Sequence, residues 1–248
     1  MILTDVVLPL RSWTRNVPAE EALTLLDLAA AGQSLGDWEA AAEAALTHED
    51  AAYRRTLARL VGRMFLDVED GLIIESDFLE LVQGGLDRRR SDLLAVRYAL
   101  AHVWPLEAAR RVVRPALHAG GEPEVAIQDW DAFVDELIEG EASAASRRKT
   151  RSTVIGALVS LGVAERSAAA TGPVLLRSGR PDPLAFGWAV VEQLRGEMRA
   201  EAATSWVACE SDAALLFGVS EDYAEACLRA SVAKGLLVQG DGVVQLPG

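Results

Sequence analysis

Arg147, Arg148, Lys149 and Arg151 place four cations within five residues of an acidic chain. At that density such side chains bind polyanions: arginine can donate two parallel hydrogen bonds to a phosphate or carboxylate, and lysine acts as a point charge. A second cluster, Arg88, Arg89 and Arg90, is a second candidate patch for nucleic-acid binding, with a solvated helix start balanced by Asp87 and Asp92 as its bland alternative. Other reactive side chains are sparse. His48, His102 and His118 are scattered, and Cys209 and Cys227 are the only cysteines, with no histidine near them. No H-E-x-x-H, G-x-S-x-G, G-x-G-x-x-G or phosphate-loop string occurs. The pattern therefore implies no catalytic centre, metal site or cofactor, and both thiols read as core residues.

The element that must position the first cluster is a helix. With Ser146 as its N-cap, Val154, Leu158 and Leu161 share one face, and Gly162 stands where a left-handed C-terminal residue is wanted. The four cations then occupy its first turn and a half. That is the positive end of the helix dipole, where each charge costs about a few tenths of a kcal/mol unless an anion offsets it. A helix with a basic exposed start and a buried apolar second half has the docking geometry of a recognition helix in a DNA groove. The bland alternative is a charged face in water. Residues 122–141, with eight acids and no basic residue, also offer the cluster an internal counter-charge.

The net charge of −13 argues against indiscriminate nucleic-acid binding by the whole surface. Its distribution is uneven. Residues 1–142 carry 13 arginines and 26 acidic residues, whereas residues 143–248 carry 11 of each. Within the second part, residues 143–180 hold seven cations against Glu165 alone. This shift suggests an acidic N-terminal helical domain, 1–142, and a C-terminal domain, 143–248. The 248 residues, half of them hydrophobic, suffice for a real core. No apolar run reaches the roughly 18 residues of a membrane span, and residues 1–10 are too short and acidic for a secretory signal. A cytoplasmic protein without a membrane partner is expected.

Apolar spacing and turn signals predict a mainly α fold: a multi-helix N-terminal bundle and a C-terminal winged-helix-like region carrying short β-hairpins. After an extended arm to about Arg15, helices are expected over 18–31, 35–45 and 49–64. The third carries Arg55, Arg59 and Arg63 along one side, facing an acidic neighbour or a phosphate backbone. Further helices are expected over 93–103, from Pro105 to Arg114, and around Trp130, Phe133, Val134, Leu137 and Ile138. Val163 and the run from Pro173 to Leu176 read as two short strands after the basic helix, and 184–198 as another helix. The last forty residues repeat the scheme of two helices and a hairpin. There the second helix opens with Glu221, Asp222 and Glu225, which would repel phosphate.

Four segments carry a family resemblance. They are Arg59 to Phe65 with the apolar run after it; Asp129-Trp130-Asp131-Ala132-Phe133; Arg151-Ser152-Thr153-Val154-Ile155-Gly156-Ala157-Leu158 ending in Leu161-Gly162-Val163; and Ala214 to Ser220 leading into Lys234-Gly235-Leu236. Over roughly residues 50–248 the chain resembles the BrxA family of bacteriophage-exclusion (BREX) defence systems. The resemblance implies a compact, mainly helical, non-enzymatic protein of a multi-gene antiphage system. Its implied partners are double-stranded DNA and other proteins of that system. A scaffold that docks proteins, with the basic cluster paired to residues 122–141, is the alternative from a different class.

Overall fold

The computed structural model describes residues 18–119, 123–138, 143–167, 172–196, 211–240 and 243–247. The expected arm to Arg15, the thiol of Cys209 and the turn at Asp241 and Gly242 lie outside them.

In the N-terminal part, side-chain caps open some of the helices and not others. Pro18 is extended ahead of α1 (Ala19–Leu26); the Ser34 side chain accepts the Asp37 amide to open α2 (Leu35–Ala45); Asp50 accepts two amides to open α3 (Ala51–Phe65). Leu57, Val61 and Phe65 bury one face of α3. A short hairpin follows, β1 (Val68–Glu69) and β2 (Leu72–Ile73), turning at Asp70 and Gly71 with φ of 50° and 79°. Two positive φ values match the right-handed strand twist, which is why an Asp-Gly pair belongs there. Ser34 makes an isolated antiparallel bridge to Leu72, so residues ahead of α2 join the hairpin as a third, minimal strand. Then come α4 (Asp77–Gln83), capped by Ser76, and α5 (Asp87–Ala101).

Residues 103–176 follow the same order of elements. Helix α6 (Val103–Ala108) begins two residues before Pro105, then runs through a π-helical stretch (Ala109–Val113) into α7 (Arg114–His118). Buried Glu107 is held by Arg110 and Arg111 at 3.2 and 2.8 Å, and Arg110 also reaches Asp212 at 2.7 Å. A carboxylate at that depth is tolerated because both of its oxygens are paired. Next are β3 (Glu124–Val125), α8 (Ile127–Leu137), α9 (Ala144–Ser160), β4 (Ala164–Arg166) and β5 (Val174–Leu176). The three strands form one antiparallel sheet in the order β3-β5-β4. Trp130, Phe133, Val134 and Leu137 are buried, as their helical spacing requires.

The remainder comprises α10 (Pro183–Gly196), α11 (Asp212–Phe217), α12 (Glu221–Lys234) and the hairpin of β6 (Val238–Gly240) and β7 (Val243–Gln245). Gly218 and Gly235 end α11 and α12 in the left-handed conformation. Gly187 on α10 lets α12 approach closely: a Cβ there would overlap the Ser231 hydroxyl and stand 2.6 Å from its Cβ. The described fold is thus mainly helical with a few short antiparallel strands. The boundary expected at 142/143 is crossed by the β3–β5 pairing, and one apolar cluster runs from Ala22 to Leu237. Among the described residues no helix is long and apolar enough to cross a membrane.

Candidate nucleic-acid interface

The basic cluster lies on α9, but the helix begins earlier than the sequence suggests. Its cap is Ser143, whose hydroxyl accepts the Ser146 amide at 3.2 Å, so Ser146 is the third helical residue and Arg147 the fourth. The four cations therefore sit mainly beyond the first turn, and the dipole penalty argued from a Ser146 cap largely lapses, because that field fades within one turn. Gly162 does take the left-handed conformation, with φ 73°.

Helix α8 precedes α9 and packs against it, and the pairing between them is a two-rung ladder. Asp131 accepts from Arg151 Nη1 at 2.7 and 2.6 Å, and Asp135 pairs with Arg147. Positions 131 and 135 are one turn apart on α8, as are 147 and 151 on α9, so an antiparallel helix pair brings the rungs into register. The neighbouring positions face elsewhere. Arg148 and Lys149 are exposed, with no ion pair among the described residues, and Ala145 and Ser152 extend the same solvent face. The opposite side buries Thr150, Val154, Ala157 and Leu158. Half of the cluster is thus tied to the acidic helix and half is displayed.

Arg166, on β4, joins this face. Its Nη2 donates to the Ser152 carbonyl at 2.9 Å and has no carboxylate partner among the described residues, so its charge stays uncompensated beside Arg148 and Lys149 on the helix. Sequence reasoning did not single it out, although it contributes to the cationic run over 143–180. Arg177, just past β5, is neutralised by Glu165 at 3.3 Å.

The second cluster has a different fate. Arg90 is mostly buried and meets Asp27 at 2.6 Å; Arg89 is mostly buried and meets Asp182 at 3.0 Å. These two pairs tie α5 to the end of α1 and to the start of α10, with partners distant in sequence instead of the local Asp87. Arg88 is more exposed; it donates to the Arg180 carbonyl and lies 3.9 Å from Asp92. Burial pushes the Asp92 carboxyl above its ordinary range, opposed by the Asp182 amide that donates to it at 2.6 Å and by Arg88.

His48 is bonded to Glu21 at 2.7 Å, and burial lowers the pKa of His102. The buried thiol of Cys227 is pushed up to about 12, also by burial. Among the described residues no group of three His, Cys, Asp or Glu side chains is placed to hold a metal ion.

No family model, no curated protein and no solved structure matches this chain.

Proposed function

We propose that the chain is a non-enzymatic accessory protein that binds duplex DNA through residues 103–176 acting as a winged-helix unit, with α9 as the helix presented to the groove. The observation that carries the reading is the exposed pair Arg148 and Lys149 on the solvent face of α9, with no carboxylate partner among the described residues. The element order supports it. In a winged helix the last helix before the hairpin is the one offered to DNA, and α9 stands at that position, between α8 and the β4–β5 pair. Arg166 supplies a third cation from the first strand of the hairpin. Three such contacts suit backbone phosphates, which set affinity and orientation and do not read sequence.

The antiphage setting, and with it defence-system proteins as partners, rests on the resemblance to BrxA proteins. A protein-docking scaffold is the second reading. It is favoured by the Arg147–Asp135 and Arg151–Asp131 pairs, which take half the cluster out of play, and by the acidic opening of α12.

Replacing Arg148 and Lys149 together with alanine tests the first reading by electrophoretic mobility shift at low salt. The double variant is expected to lose at least about tenfold in duplex affinity while melting within a degree or so of wild type, since neither side chain has an ion pair to lose among the described residues. Equal affinity of variant and wild type would remove α9 as the contact and leave the scaffold reading.

A further inference from the structure

Residues 19–73 repeat the element order of residues 103–176. In both, a helical segment is followed by a strand or single bridge, two helices and a two-stranded hairpin. The pairing order also repeats: Ser34 bridges to β2, which pairs with β1, as β3 pairs with β5, which pairs with β4. Helix α3 therefore occupies in the first unit the position that α9 occupies in the central one.

We infer that α3 is a second phosphate-contacting helix, so that the chain grips one duplex at two places. Arg55, Arg59 and Arg63 recur at every fourth residue and form one cationic stripe along α3. Their environment is open. The Arg55 and Arg59 side chains are 56% and 62% exposed, and their only carboxylate partners among the described residues, Glu43 and Glu39 of α2, are met through Nε at 3.3 and 3.6 Å. Pairs that loose, in water, yield readily to a phosphate. Arg63 is exposed and has no ion pair among the described residues. Arg54, off the stripe, is instead turned to the carbonyls of His48 and Glu49. The C-terminal pair of helices and hairpin, α11, α12 and β6–β7, has no such stripe on α12, which opens on Glu221 and Asp222 and whose Arg229 is bound to Glu225.

This inference rests on the DNA reading of α9, and the experiment separates the two. Affinity for a duplex of about 30 base pairs is measured across a salt series for wild type, the Arg55→Gln/Arg59→Gln/Arg63→Gln variant, the Arg148→Ala/Lys149→Ala variant and the Glu39→Gln/Glu43→Gln variant. Each lost phosphate contact lowers the slope of log affinity against log salt by about 0.9. The triple variant is expected to flatten the slope by about two to three and weaken low-salt binding at least about tenfold. Removing Glu39 and Glu43 is expected to strengthen binding a few-fold, the opposite sign.

An unchanged slope in the triple variant, with weakening in the α9 variant, overturns the second contact and leaves the first. If the triple variant fails to fold, unchanged affinity in the Glu39→Gln/Glu43→Gln protein overturns it equally. Loss of a bound acidic protein in place of DNA would assign the stripe to protein docking and overturn it too. Absence of duplex binding by wild type would remove both readings together.

Discussion

Two aspartates decide how much of the basic cluster is displayed. Asp131 and Asp135 hold Arg151 and Arg147, and both rungs of the ladder are partly exposed to water, so each contributes up to about 1 kcal/mol to stability. Alanine at Arg147 or Arg151 is therefore expected to lower the melting temperature, whereas alanine at Arg148 or Lys149 is not. The Asp131→Asn/Asp135→Asn variant is expected to bind duplex DNA a few-fold more tightly at slightly lower stability; equal or weaker binding in a titration would show that Arg147 and Arg151 stay directed at α8. The sequence showed the cations and the acidic helix, but not which arginine meets which aspartate. That depends on where α9 starts, and Ser143 and Ser146 are equally good caps by residue type.

Burial holds the folded pKa of His102 below its ordinary 6.5. Around and below pH 6.5 the unfolded chain therefore takes up more protons at this site than the folded one, and stability falls as pH drops toward the folded pKa. Melting temperature is expected to decline between about pH 7.5 and about pH 5.5, and less so in His102→Gln. Equal slopes in the two proteins would assign the decline to other groups.

At the scale of elements, glycine marks both stops and contacts. Gly162, Gly218 and Gly235 end helices in the left-handed conformation, and each stood in the sequence after an apolar helical run, where such a residue is wanted. The α8 stripe was legible because its apolar spacing matches the helical period; after α9, the apolar run at Val174–Leu176 marked β5, whereas β4 begins at Ala164, one residue past the Val163 read as a strand. The β1–β2 hairpin went unread despite its Asp70-Gly71 turn, because strands of two residues show no alternation. Strand β3 is equally short and gains its identity only by pairing with β5. Gly187 carries no sequence signal at all, since its reason is Ser231 on a distant helix. Alanine at 187 is expected to cost about 1–3 kcal/mol through overpacking of α10 against α12, read from chemical denaturation. A cost near the intrinsic preference of alanine for helix, a small gain, would show that the two helices separate freely.

At the scale of the molecule, the distribution of charge matters more than its total of −13. Acidic residues neutralise arginines between helices, as at Asp27, Asp182, Asp131 and Asp135, and this internal use accounts for much of the basic content. Among the described residues, what remains outward-facing includes a small cationic face on α9 and β4 and a stripe on α3, beside the exposed Arg114, Arg180 and Lys234. The two-domain division suggested by composition does not track the architecture, because β3 and α8 precede residue 142 while their partners β5 and α9 follow it. Composition follows charge, and sheet pairing follows topology. A neutral ledger over the C-terminal part concealed a basic segment beside an acidic one, as the sequence already showed.

The most direct test of the central claim is the salt dependence of duplex binding by the wild-type chain beside Arg148→Ala/Lys149→Ala. Affinity is expected to fall steeply as salt rises, with the double variant flatter by about two in log–log slope and otherwise folded as wild type. Affinity that ignores salt, or a double variant that follows the wild-type line, would contradict it.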